Sequence, residues 1–229
     1  MIQRTASPSS LVVFDLDGTL IDSRADLAAS TNAMLVTFGA AALPDAQVSS
    51  FVGEGARMLV SRALEASALP VAQVDVALAR FLEIYNSKLT DVTRPYDGVV
   101  AVLEHAVAAG AALGVITNKP QAPSDRLLHH FGLSSMFQWV IGGDTAFARK
   151  PDPASLVWMM DEAGVLPERT LFVGDSQIDA ETSRRAGAVF CLAAYGFGQV
   201  RETTHLLHGE FGAESPLDIR AAIDAVTRA

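Results

Sequence analysis

Two kinds of hydrophobic patterning divide the chain. Leu11, Val12, Val13 and Phe14 form a short unbroken apolar run, and similar runs recur at 112–116, 139–141, 171–173 and 189–192. Each is bounded by glycine or polar residues, which is how strands of a parallel sheet read when both faces are buried. Helical spacing fills the gaps between the later runs. Val99, Val102, Leu103 and Ala106 share one helix face, and Gly110 suits its C-terminal end. Leu127, Leu128 and Phe131 mark another helix, closed by Gly132. Pro153 suits the first turn of a third, which stops near Gly164. Strands alternating with helices predict an α/β fold, a doubly wound parallel sheet with a Rossmann-like core.

The stretch from residue 22 to 92 breaks this alternation. Leu27, Met34, Leu35 and Phe38 line one helix face. Val74, Leu78, Phe81, Leu82 and Tyr85 line another, and the Phe51-Val52-Gly53-Glu54-Gly55 loop opens a helix between them. The pattern predicts an inserted α-helical cap domain over 22–92, with 1–21 and 93–229 forming the α/β core. A helical module beside the carboxyl ends of parallel strands can act as a lid.

Composition narrows the partners. The chain has 229 residues, half of them hydrophobic, with 17 basic and 26 acidic side chains and a net charge of −9. That balance disfavours nucleic acid and anionic membrane surfaces. The longest uncharged stretch, 27–44, is broken by Ser30, Thr31, Asn32, Thr37 and Gly39, so no membrane span is expected. The opening residues are polar and the first apolar run is too short for a signal-peptide core. Cys191 is the only cysteine, so no disulfide framework exists within the chain. A cytoplasmic monomer or homodimer is the expectation.

The chemistry gathers at the ends of the expected strands. Asp15 and Asp17 follow the first, and Gly18 lets the chain turn so that Asp17 can swing back toward Asp15. Two adjacent carboxylates repel, and a divalent cation or a shared proton would relieve them. Asp175 and Asp179 follow the strand at 171–173, one helical turn apart if a helix begins there. Oxygen ligands without nearby His or Cys suit a hard cation, best Mg²⁺. Thr117, Asn118 and Lys119 end the second strand, and Lys150 follows the third. Lys88, Lys119 and Lys150 are the only lysines, and two of them fall at these loops. Carboxylates, a hydroxyl and a lysine at one sheet edge make a phosphate site. There an aspartate can serve as nucleophile and a second aspartate as general acid and base.

Asp15-Leu16-Asp17-Gly18-Thr19-Leu20, Thr117-Asn118, Lys150-Pro151 and Gly174-Asp175-Ser176-x-x-Asp179 resemble the four ordered motifs of the haloacid dehalogenase-like hydrolases. The resemblance implies that Asp15 is the nucleophile and a Mg²⁺ ligand. It makes Asp17 the general acid/base and a ligand through its backbone carbonyl, and Asp175 a further ligand. Thr117, Asn118 and Lys150 would hold the phosphoryl group, and Ser176 and Asp179 would support the metal site. The second aspartate argues against true dehalogenation. Within the family, the 51–55 loop, Thr117-Asn118-Lys119-Pro120, Gly142-Gly143-Asp144-Thr145 and Lys150-Pro151-Asp152-Pro153 are similar to bacterial phosphoglycolate phosphatases.

The expected activity is therefore Mg²⁺-dependent hydrolysis of a small phosphorylated metabolite, 2-phosphoglycolate first, through an aspartyl-phosphate. Alternatives are a phosphomutase, a pyrophosphatase or sugar-phosphate phosphatase on the same scaffold, and a receiver-like phospho-acceptor module. Gly53, Glu54, Gly55 and Arg57 are candidates for substrate specificity. Lys119, one residue beyond the matched pair, is read as having no role in the chemistry. The five histidines lack ligand spacing, Cys191, Trp139 and Trp158 are expected in the core, and Arg184-Arg185 on a solvated helix face.

Overall fold

The structure, a computed structural model, describes residues 8–197 and 205–228. Most of the polar opening segment, residues 1–7, lies outside the described residues. Six strands form one parallel sheet: β1 (Ser10–Phe14), β4 (Ala111–Ile116), β5 (Trp139–Ile141), β6 (Thr170–Gly174), β7 (Val189–Ala193) and β8 (Phe211–Ala213). Their spatial order is β5-β4-β1-β6-β7-β8, so β1 is central and the strand order reverses beside it. In open α/β sheets such a reversal leaves a crevice at the carboxyl ends of the strands.

Alternation explains why the apolar runs are unbroken. Val12 and Phe14 of β1 join one hydrophobic cluster, while Leu11 and Val13 join a second on the opposite face. β6 divides in the same way, Leu171 and Val173 against Phe172, and so does β7, Cys191 and Ala193 against Phe190 and Leu192. The first face is covered by α5 (Val99–Ala108), α6 (Gln121–His130) and α9 (Ile219–Arg228). The second face packs α7 (Ala154–Ala163) and α8 (Gln177–Ala186). Each strand thus needs apolar side chains at consecutive positions rather than at every second one.

Between Asp22 and Arg94 the chain is helical, with no strand among the described residues: α1 (Arg24–Thr37), the short α2 (Asp45–Ser49), α3 (Ala56–Ala66) and α4 (Val74–Lys88). Their entry and exit are tied together. β2 (Ile21–Asp22) pairs antiparallel with β3 (Arg94–Pro95). Beside it the buried Asp26 carboxylate accepts from the Val92 and Thr93 amides and the Thr93 hydroxyl, at 2.6–3.1 Å. Three donors satisfy a carboxylate that would otherwise be costly to bury.

Several expectations change. β8 and α2 carry too little pattern to be read from sequence, and β2 and β3 are two residues each. Pro153 is the N-cap of α7 rather than a first-turn residue. Trp139 and Trp158 are half-buried and meet edge-to-face at the sheet margin rather than filling the core. Arg184 is not simply solvated, because it forms a two-point ion pair with Glu210 at 2.7 and 2.8 Å. Cys191 is buried in the core. No helix among the described residues is long and apolar enough to cross a membrane.

Candidate active site

Each strand that borders the reversal delivers a polar residue just past its last rung. The Asp15 amide donates to the Val173 carbonyl (2.9 Å), extending the β1–β6 pairing by one residue. The Thr117 amide donates to the Ile141 carbonyl (3.0 Å) in the same way beyond β4. Asp175 follows β6 directly. The ladder therefore sets where these side chains start, and the loops that follow decide where they point.

The 15–20 loop turns sharply. Gly18 has φ +90°, and a Cβ there would lie 2.1 Å from Asp175 Oδ2, so the turn needs glycine for both conformation and space. Tyr195 braces the loop by donating its hydroxyl to the Thr19 carbonyl at 2.8 Å. The Phe197 amide donates to Asp175 Oδ2 at 2.9 Å and orients that carboxylate from the other side.

Asp15, Asp175 and Asp179 are buried, and each offers a carboxylate oxygen within 4.8 Å of the others. Lys150 joins two of them: its Nζ lies 2.6 Å from Asp15 Oδ1 and 2.6 Å from Asp179 Oδ1. The Lys150–Pro151 peptide that presents it is cis. Asp179 Oδ2 accepts from the Ser176 amide (3.0 Å) and hydroxyl (2.5 Å), while the Asp179 amide donates back to Ser176 Oγ (3.3 Å). This is a capping box at the start of α8. The helix begins at Gln177, so Asp175 precedes it and the two aspartates do not share a helical turn. Both Asp179 oxygens are engaged, whereas Asp15 Oδ2 and Asp175 Oδ1 accept from no group among the described residues. Those two oxygens, on carboxylates gathered at the ends of β1 and β6, suit a hard cation.

Burial, more than any partner, sets the charge here. It pushes the Asp15 carboxyl up to about 7. Lys150 pulls the other way, Asp179 and Asp17 add to the rise, and burial with carboxylate repulsion prevails. Burial and the repulsion of Asp179 and Asp15 also raise Asp175 well above the ordinary carboxylate range. Burial works against the charge of Lys150, but its two aspartates outweigh it and hold the ammonium more firmly protonated than usual.

Asp17 does not lean on Asp15. Its Oδ1 accepts from Ser23 Oγ at 2.5 Å, and its two oxygens face Lys119 Nζ at 3.1 and 3.0 Å. The repulsion between the two aspartates is thus eased by a lysine on the Asp17 side. Lys119 is only 6 % exposed and lines the cleft, which overturns its reading as a bystander. It also donates to the Tyr85 hydroxyl (2.6 Å) on α4. Burial disfavours the Lys119 charge, and Asp17 with Tyr85 overcome that and raise its pKa. Sequence position hid this role, because the three partners lie far apart along the chain. The one available signal was the scarcity of lysine.

Thr117 and Asn118 are buried beside them. Asn118 Nδ2 donates to the Gly53 and Lys150 carbonyls, each at 3.2 Å, and its buried Oδ1 has no partner among the described residues. The 142–145 string has a bracing role. Asp144 accepts from the Gln121 amide (2.7 Å), Gln121 Oε1 accepts from the Gly142 amide (2.7 Å), and the Gly143 amide donates to the Lys119 carbonyl (2.8 Å).

These groups floor a cleft roofed by helices. Asp15, Asp17, Thr117, Asn118, Lys119, Asp175 and Ser176 form the polar side, and Leu27, Val52, Leu59, Phe81, Leu82 and Tyr85 the mostly apolar side. Gly53 and Gly55 lie in the lining. Gly55 has φ +89°, and a Cβ there would approach the Asn118 carbonyl to 3.1 Å. Glu54 and Arg57 turn elsewhere: Glu54 pairs with Arg62 and Arg57 with Asp75, and neither lines the cleft.

The chain matches the model of the haloacid dehalogenase-like hydrolase family over residues 12–193. It is 42 % identical over 197 residues to phosphoglycolate phosphatase 1 of Pseudomonas aeruginosa, covering 83 % of this chain and 71 % of that protein. It is 39 % identical over 210 residues to phosphoglycolate phosphatase of Cereibacter sphaeroides, covering 90 % of this chain and 94 % of that one. A crystal structure from Haemophilus somnus, described as a predicted phosphoglycolate phosphatase, superposes with a TM-score of 0.85. It shares 29 % identity and covers 93 % of this chain and 97 % of that one.

Proposed function

The chain belongs to the haloacid dehalogenase-like hydrolase family and is a phosphoric monoester hydrolase, and we propose that it hydrolyses 2-phosphoglycolate to glycolate and phosphate using Mg²⁺. The observation that carries this reading is the buried ring Asp15–Lys150–Asp179 beside Asp175, at the floor of a cleft small and apolar on its far side. The names of the relatives support the choice of substrate.

In this reading Asp15 and Asp175, with the Asp17 carbonyl, hold Mg²⁺, and bound there the ion neutralises phosphate charge. Ser176 and Asp179 keep the carboxylates in place. Thr117 and Asn118 hold the phosphoryl group, and Lys150, behind Asp15, balances the charge as the group transfers. Asp15 attacks phosphorus and becomes an aspartyl-phosphate while the ester oxygen leaves with a proton from Asp17. Asp17 then takes a proton from a water whose oxygen attacks phosphorus, and the bond from phosphorus to Asp15 breaks, releasing phosphate and restoring the Asp15 carboxylate. Residues 22–92 form the cap in the same proposal and exclude bulk water; the Asp26 clasp and the β2–β3 pair support that division from 1–21 and 93–229. Action in the cytoplasm on a small phosphorylated metabolite completes it.

A panel of phosphate monoesters assayed with Mg²⁺ and with EDTA tests the reading. Hydrolysis of 2-phosphoglycolate that stops on chelation is expected. Isomerised product without free phosphate would assign a mutase instead.

Metal binding should depend steeply on pH. The raised Asp15 pKa means that the metal-free fold binds this proton more tightly than the unfolded chain does. The stabilisation it provides is present at acid pH and fades as pH rises through about 7. Mg²⁺ must displace that proton, so its apparent affinity should be about a hundredfold weaker at pH 5 than above pH 7. Thermal shift against Mg²⁺ concentration checks this; equal shifts at both pH values would contradict it.

A further inference from the structure

The two buried lysines of the site stand in different places. Lys150 lies beneath the floor, closed in by Asp15 and Asp179, and does not line the cleft. Lys119 does line it and is the only cationic side chain that does so among the described residues. Its ammonium sits between the floor and the roof, 3.0 Å from Asp17 Oδ2 and 2.6 Å from the Tyr85 hydroxyl, with the Tyr85 ring centroid 4.6 Å away. The Tyr85 hydroxyl accepts from Lys119, and its own O–H finds no acceptor among the described residues. Around this pair the roof is apolar: Leu27, Leu59, Phe81 and Leu82. A substrate anchored by phosphate at the floor therefore meets one charged feature on its way out.

We infer that Lys119 Nζ and the Tyr85 hydroxyl form the binding site for a carboxylate on the substrate, so that the enzyme selects short phosphate esters bearing a second anion. The inference rests on the phosphatase reading above. A carboxylate can accept from both groups at once, and charge-assisted hydrogen bonds of this kind are the strong ones. Lys119 needs no new desolvation, because it is already buried against Asp17. The incoming carboxylate takes over part of the Lys119 contact with Asp17, whose Oδ1 keeps its hydrogen bond from Ser23. An uncharged tail gains neither donor and leaves Lys119 on Asp17. Recognition and readiness of Asp17 are thus joined in one lysine.

Ethyl phosphate, which carries a methyl group where 2-phosphoglycolate carries its carboxylate, is the control substrate. The wild-type enzyme should favour 2-phosphoglycolate in kcat/KM. Lys119→Met should shrink that preference roughly 10–100-fold, chiefly through KM for 2-phosphoglycolate. Tyr85→Phe keeps the ring and its packing, and should shrink it several-fold in the same direction. Lys119→Arg, with charge retained, should recover part of it. Parallel losses on both esters in Lys119→Met and Tyr85→Phe, with the preference unchanged, would overturn the inference and leave Lys119 as a positioning residue for Asp17. A wild-type enzyme that treats the two esters alike would overturn it too. Failure of the wild type to hydrolyse either ester with Mg²⁺ would instead overturn the phosphatase reading. Glycolate binding by calorimetry separates recognition from turnover: binding to wild type that weakens in Tyr85→Phe supports the site, and equal binding by both counts against it.

Discussion

Asp15→Asn is expected to lower kcat on 2-phosphoglycolate by on the order of 10⁵-fold or more while the protein stays folded. The amide cannot form the aspartyl-phosphate, so the two-step route is closed rather than slowed. Two features argue that the fold survives. Lys150 keeps its second partner, Asp179 Oδ1 at 2.6 Å. The carboxyl at position 15 is itself disfavoured as an anion, chiefly by burial, so a neutral isostere removes a cost. Melting temperature near pH 8 should therefore be equal to or above that of wild type without metal, and the added stability from Mg²⁺ should fall. Near-wild-type turnover in this variant would rule out Asp15 as nucleophile.

Lys150→Ala is expected to damage both chemistry and fold. Lys150 is 6 % exposed and, among the described residues, is the only cation in contact with Asp15 and Asp179. Removing it leaves Asp15, Asp175 and Asp179 facing one another without a counter-charge, and unpairing a buried ion costs about 3–5 kcal/mol. The deficit should depend on pH in a definite direction. Without Lys150 the neighbouring carboxyls bind protons more tightly still, so the folded state gains on the unfolded chain as pH falls. The loss should be largest near pH 8 and shrink toward pH 5, and Mg²⁺ should recover part of it by supplying positive charge. Turnover should fall by a further 10²–10³-fold, roughly the effect of deleting one preorganised charge from a phosphoryl site. Denaturant melts at several pH values check the stability part. A deficit that grows toward acid pH would contradict the charge balance described here.

Much of the fold was legible because the sheet is buried on both faces. Leu11, Val12, Val13 and Phe14 feed two separate cores, and only a parallel central strand demands that. β8 escaped because its Phe211-Gly212-Ala213 pairs at an edge, with Ala194 reaching the Ala213 carbonyl at 2.8 Å through tertiary approach alone. The chemistry was legible where strands place it: Asp15, Thr117 and Asp175 all follow strand ends. Contacts that close across the chain were not. The Asp17–Lys119–Tyr85 cluster joins the first strand's loop, the second strand's loop and a roof helix, and no local spacing encodes that meeting. Tyr85 reads from sequence as one more apolar position on α4, and Phe197 contributes through a backbone amide that any residue but proline carries. Glu54 and Arg57 show the converse. Their place beside a glycine loop suggested substrate contact, yet each pairs with an opposite charge away from the cleft, Glu54 with Arg62 on α3 and Arg57 with Asp75 on α4.

The central claim is covalent catalysis by Asp15, and acid-quenched single turnovers measure it most directly. Wild-type protein is mixed with Mg²⁺ and 2-phosphoglycolate, stopped within the first turnover, digested, and its peptides weighed. The expected result is one phosphoryl group on the peptide containing Asp15, appearing with glycolate and decaying as phosphate is released, and absent in Asp15→Asn. Glycolate and phosphate released together with no phosphoryl group on that peptide at any time, or a phosphoryl group on another residue, would contradict the account.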